Sequence, residues 1–170
     1  IELFKKNLNL IFLSNFVPLR EIFLIPLEKY LVPLTSNITW FTLKLIGINA
    51  NMTKNIIFFE KRGISIEDGC SGADQIIFGI SLLMIFYILF PIKKRINFYI
   101  LITLTIISSF LENCMRLSFL AYINSYEGIY SDKLFDFFHN SFGSLIFTSL
   151  TFFIVSKSYF EIIKREIRDV

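Results

Sequence analysis

Residues 70–95 read CSGADQIIFGISLLMIFYILFPIKKR, and this stretch decides the fold. From Gly72 to Phe90 its only strongly polar side chains are Asp74 and Gln75, both at the start, and Pro91 closes the run. About twenty apolar residues, rising 1.5 Å each in a helix, cross the roughly 30 Å hydrocarbon layer of a bilayer. Such a segment, followed at once by Lys93, Lys94 and Arg95, reads as a membrane span with a basic flank.

Moving outward, Phe142 to Val155 is a second clear candidate, extensible backwards through His139 to Phe135 and closed by Lys157. Between the two, Ile96 to Tyr122 is long enough but mixed, with Glu112, Asn113 and Arg116 near its far end. Lys and Arg concentrate in loops that stay in the cytoplasm, which puts Lys93–Arg95 and the tail with Lys157, Lys164, Arg165 and Arg168 inside. The segment Asn49 to Gly69 and the loop Asn124 to Leu134 then face outward. Within the first, Ile56 to Ile66 reads as a short extracytoplasmic β-hairpin: an apolar β-prone run, a Glu60-Lys61-Arg62-Gly63 turn, then alternating Ile64-Ser65-Ile66. Ahead of it, Leu8 to Leu27 is broken by Pro18, Arg20, Glu21 and Pro26, and Leu31 to Ile48 carries Lys44. One true span and one interfacial helix fit that region best if Lys5 and Lys6 lie inside.

Composition agrees with lipid as the solvent. Of 170 residues 54% are apolar and only 18% charged, against roughly 25% charged in soluble domains. That excludes disorder and most soluble classes. A net charge of +3 with one His and two Cys supports neither a nucleic-acid surface nor a disulfide framework. The expectation is an all-α polytopic membrane protein, a single domain over residues 1–170 with about four or five transmembrane helices and the hairpin. The chain opens at Ile1 rather than Met, so an upstream segment is also expected.

The same helical ruler places the unusual side chains. Cys70 precedes the outer end of the first span, Arg116 lies about twenty residues above Ile96, and His139 falls just below a boundary counted back from Lys157. Taken singly, each has an ordinary explanation: a small buried hydrophobe, a snorkelling cation, a packed imidazole. Their common depth favours function, since ionisable groups inside a membrane tend to line functional cavities. Cys114, two residues before the Arg on another face, reads as packing.

A Cys, a His and an Arg suit acyl transfer. The His takes the thiol proton, a helix N-terminus favours the thiolate, and the Arg stabilises an oxyanion or grips a carboxylate. Cys70, with Ser71 and Gly72 at a helix opening, is the candidate nucleophile, His139 the acid/base and Arg116 the electrophilic group. Asp74 and Gln75, a turn after Cys70, either orient His139, bind substrate backbone, or simply solvate a helix start. Asn113 shares a face with Arg116 and is a candidate to position the guanidinium, whereas Glu112 reads as a residue of the aqueous rim.

At these residues the sequence resembles the exosortase/archaeosortase family of integral membrane cysteine transpeptidases. The resemblance rests on Cys70-Ser71-Gly72, Asn113-Cys114-Met115-Arg116, and Phe138-His139-Asn140 with Gly143 and Phe147, in order and spacing from about Leu31 to Phe160. The Phe138-His139 region looks most like the cyanobacterial branch. The resemblance implies that Cys70, Arg116 and His139 are catalytic, with no cofactor and no metal. It also implies secreted or surface protein substrates bearing a C-terminal motif, a hydrophobic helix and a basic cluster, cleaved at the outer face of a bacterial or archaeal plasma membrane. Two other classes remain open: a metal-handling protein using Cys70, Cys114, His139 and a carboxylate, which lacks any close ligand pair and sets an Arg among the ligands, and a non-catalytic membrane scaffold.

Overall fold

The computed structural model describes residues 19–168. Its elements run α1 (Leu19–Leu45), β1 (Asn51–Thr53), β2 (Ile56–Phe58), β3 (Gly63–Ser65), a single 3-10 turn (Asp68–Cys70), α2 (Ala73–Leu89), α3 (Arg95–Asn124), α4 (Ile129–His139) and α5 (Ser141–Arg168).

Helix α3 is the hub, packing on α1, α2, α4 and α5. It buries Leu101, Thr105, Ser109, Glu112, Asn113 and Leu117, a spacing of three and four that keeps one face inward. From α2 the matching stripe is Ala73, Ile76, Gly79 and Leu83. Gly79 is where the two helices come closest: a Cβ there would meet Ser109 Oγ at 2.6 Å and Thr105 Cγ2 at 2.9 Å. Large apolar side chains elsewhere on α3, among them Ile96, Tyr99, Ile100 and Ile107, point outward and are exposed, as suits a helix whose solvent is lipid.

The interior divides by height. One apolar cluster joins Leu43, Ala50, Ile57, Ile66, Leu117, Leu120 and Ala121 at the sheet end. A second joins Leu83, Ile92, Leu101, Val155 and Tyr159 at the end carrying Lys93 to Arg95. Between them lies a belt of small and polar side chains, with Thr105, Ser109, Glu112 and Thr151 all buried.

Two described helices, α3 and the Leu145–Arg168 part of α5, are long and apolar enough to cross a membrane. The segment that reads most cleanly in the sequence gives the 17-residue α2, about 25 Å long and at the short end for a span. The compositionally mixed segment gives the longest helix, because its polar residues turn inward.

Several sequence expectations need correction. The third span does not run back continuously through His139: the chain breaks at Asn140, whose φ of −79° and ψ of −178° are extended. Gly143 lets α5 fold back there, since a Cβ on it would overlap the Phe138 backbone. Much of the expected outer loop Asn124 to Leu134 is the start of helix α4. The division between Leu27 and Leu31 is absent, because α1 continues through both Pro26 and Pro33. Its buried stripe of Thr35, Thr39 and Leu43 lies along the bundle, and that packing outweighs the local cost of proline, about 3 kcal/mol each. The part of the Leu8 to Leu27 segment before Leu19 lies outside the described residues.

Strands β2 and β3 pair antiparallel through Ile56–Ser65, Ile57–Ile64 and Phe58–Gly63, and β1 adds a third strand against β2. The Phe59 N–H donates to the Arg62 carbonyl at 2.7 Å, closing the turn. Ile57 is the sheet's buried anchor.

Candidate active site

The chain arrives from β3 through the 3-10 turn and changes direction at Cys70-Ser71-Gly72. Several backbone groups on this path are held. The Cys70 N–H donates to the Glu67 carbonyl (2.8 Å) and the Ser71 N–H to the Asp68 carbonyl (3.0 Å). The Cys70 carbonyl accepts from Asn113 Nδ2 at 2.9 Å, and the Ser71 carbonyl from Thr35 Oγ1 at 2.9 Å. Ser71 Oγ accepts the Ala73 N–H at 3.2 Å, serving one of the open donors at the start of α2. Gly72 is required twice over: its φ of 92° is left-handed, and a Cβ would meet Asn113 Nδ2 at 2.9 Å. Cys70 itself is half-buried and reduced.

Helix α2 begins at Ala73 with Gly72 as its cap, so Cys70 stands ahead of the helix opening rather than within its first turn. The sequence places it closer to the helix than it is, because Ser71 and Gly72 are spent on the reversal. Asn113 also departs from expectation: its amide fixes the Cys70 backbone, and the guanidinium of Arg116 is held elsewhere.

Arg116 Nη2 donates to the backbone carbonyl of His139 at 3.3 Å. His139 ends α4, exposed, with its ring stacked on Phe135 at 5.3 Å and 12°. Phe135 and Phe138 pack, along with Cys70, against the cluster at the sheet end. One helix therefore reaches both partners: Asn113 holds the Cys70 backbone and Arg116, a turn later, the His139 backbone. Among the described residues no hydrogen bond joins the Cys70 thiol to the His139 imidazole. Such bonds often tighten only when substrate is bound.

Two acidic or amide side chains sit differently from the sequence reading. Gln75 turns inward and donates through Nε2 to Thr151 Oγ1, whose hydroxyl donates to Glu112. Glu112, 3% exposed, is not at an aqueous rim but inside the bundle. Asp74 is exposed at the start of α2. No periodicity in the sequence pairs Thr151 with Glu112, since 39 residues separate them; the one available signal was an acid in an apolar run. Cys114 is buried at 3% exposure, in packing as expected.

The sheet is fastened to α4 by charge. Arg62 donates through both terminal nitrogens to the Asp132 carboxylate, and Lys61 Nζ lies 3.3 Å from Glu127. The hydrogen bond from Arg62, with its charge, holds the exposed Asp132 carboxyl below its ordinary range. Near them Ile48, Phe59, Lys61, Arg62, Tyr126 and Glu127 line an open cavity of about 300 Å³. Among the described residues no three of His, Cys, Asp and Glu converge as a metal-binding set.

A helical bundle with long apolar spans, carrying a half-buried cysteine at a braced turn and an arginine bonded to a histidine backbone, defines a membrane-embedded protein with a candidate thiol site. The family description "Transmembrane exosortase (Exosortase_EpsH)" matches residues 3–156. The chain belongs to the transmembrane exosortase family and is an integral membrane protein. No curated protein and no solved structure matches it.

Proposed function

We propose that this protein is a membrane cysteine peptidase or transpeptidase that cleaves C-terminal sorting signals of secreted or surface proteins at the extracytoplasmic face. Family membership makes a membrane transpeptidase the natural reading. The observation that carries the assignment of residues is the reach of α3 to both backbones, Asn113 to Cys70 and Arg116 to His139.

In the proposed reaction His139 takes the Cys70 proton, and the thiolate attacks the scissile carbonyl carbon, forming a C–S bond and an oxyanion that Arg116 stabilises. The oxyanion collapses, the C–N bond breaks, and the imidazolium returns the proton to the leaving amine. An acceptor amine or water, deprotonated by His139, then attacks the thioester carbonyl and releases the Cys70 thiolate, which recovers the proton. Ser71, Gly72 and Asn113 set the backbone of the nucleophile; Asp74, exposed beside it, is a candidate contact for substrate.

In this reading α1, α2, α3 and α5 each cross the bilayer, with Lys93–Arg95 inside and the sheet and α4 outside. From Leu45 down to Glu28, α1 runs about 25 Å at 1.5 Å per residue, which brings the Glu28-Lys29 pair to the inner boundary. Bonds cleaved at the height of Cys70 then lie where a substrate's own membrane helix emerges.

The test is processing of a co-expressed substrate carrying a C-terminal motif, an apolar helix and a basic cluster. Cys70→Ala and His139→Ala each abolish cleavage while the protein still accumulates in the membrane, and Arg116→Lys lowers it about a hundredfold, since a lysine lacks the planar fork. Normal cleavage by Cys70→Ala overturns the reading.

A further inference from the structure

Glu112, buried, and Arg116, half-buried, are four residues apart on α3. One oxygen of Glu112 accepts from Thr151, which accepts from Gln75, so the carboxyl group is tied to α5 and α2 at once. Its other oxygen, Oε1, is buried with no partner, and so is Nε of Arg116. A buried charge without a counter-charge is strongly disfavoured. The buried Glu112 carboxyl with a bare oxygen and the half-buried Arg116 with a bare Nε, one helical turn apart, are complementary in charge and in hydrogen bonding.

The direction of the side chains supports the pairing. Helical side chains lean toward the N-terminus, a direction that would bring Arg116 back over Glu112. An acid preceding a base by four residues is also the more favourable order. The ion pairs of the described residues do not include these two; in this structure the guanidinium reaches up to the His139 carbonyl instead.

We infer that Glu112 is the positioning residue of Arg116, its free oxygen giving the guanidinium a second anchorage below the one at His139. Because Gln75 and Thr151 fix the carboxyl group, the height of Arg116 is referred to α2, which follows Cys70, and to α5, which follows His139. Glu112 acts only through Arg116. The inference rests on the proposed role of Arg116 at the oxyanion.

The experiment measures steady-state cleavage of the same substrate by the full chain in membranes, with Glu112→Gln, Glu112→Asp, Arg116→Lys and Cys70→Ala side by side. Glu112→Gln keeps the shape and still accepts from Thr151 but removes the charge. Expected is a fall in kcat of about tenfold or more with KM within about twofold, partly restored in Glu112→Asp. Wild-type kcat in Glu112→Gln, with Cys70→Ala and Arg116→Lys impaired, overturns this inference and leaves the reading of the site standing. A rise in KM alone overturns it too, as does failure of both Glu112 variants to accumulate, which makes the carboxyl a folding element. Cleavage by Cys70→Ala instead removes the reading on which the inference depends.

Discussion

Among the described residues two glutamates are buried in this bundle, and they are treated in opposite ways. Glu166, 6% exposed near the end of α5, accepts from the Lys93 N–H at 2.8 Å, the Lys94 N–H at 3.1 Å and Asn97 Nδ2 at 2.7 Å. It caps the N-terminus of α3 with a negative charge where the helix dipole favours one, and both oxygens are used. Beside it Tyr159 Oη donates to the Phe90 carbonyl at 2.6 Å. Glu112, about three-fifths of the way along α3, has one oxygen used and one bare. The first acid closes an end of the structure. The second is left incomplete beside the residues assigned to chemistry. Full satisfaction suits an acid that closes an end of the structure, and the bare oxygen of Glu112 is the one the inferred anchorage of Arg116 would use.

The contrast requires that the two ends be held apart, and Gly79 sits between them. Gly79→Val drives methyl groups into Ser109 and Thr105, separating α2 from α3 at the height of the polar belt. A loss of about 3 kcal/mol is expected from overpacking, read as the largest fall in thermal unfolding temperature in detergent among these variants.

Glu166→Ala tests the closed end alone. It strips three donors of their acceptor and should lower stability by about 2 kcal/mol, combining a lost cap and a lost dipole partner. Because the site lies at the other end, cleavage per folded molecule should stay at wild-type level. A loss of kcat in the folded fraction would show that the ends are not independent.

The smallest effect belongs to acid. The folded carboxyl of Asp132 titrates below its ordinary value because of Arg62, so the clasp contributes above the unfolded value and is lost as pH falls through the folded one. Asp132 is exposed and Arg62 partly so, and the contribution is modest. Amide exchange at Gly63 to Ser65, corrected for intrinsic rates, should accelerate across that acid range, and Asp132→Asn should show the faster exchange already at neutral pH.

Much of this arrangement is written in the sequence. The limits of α2 and α3 follow from Gly72, Pro91 and the basic run, which act locally. Cys70, Arg116 and His139 stand out because reactive and charged types are scarce in an apolar chain. The rest depends on contacts between distant residues. Pro26 and Pro33 argue locally for a break that packing against α3 overrides. The stop at Asn140 is invisible in an apolar run, since it comes from Gly143 folding against Phe138 rather than from any strong breaker. Asn113 has the right face to meet Arg116, yet its amide is taken by a carbonyl 43 residues away. Glu112 looked hydrated only because its partner Thr151 belongs to another helix.

The break at Asn140 makes α4 a lever. One end of this 11-residue helix carries His139, joined to the α5 span through a single extended residue, and near the other end Asp132 is gripped by the tip of the sheet. The tip of the sheet and the imidazole are thus joined through one short helix, which also packs on α3 and α5 and so ties the histidine to both.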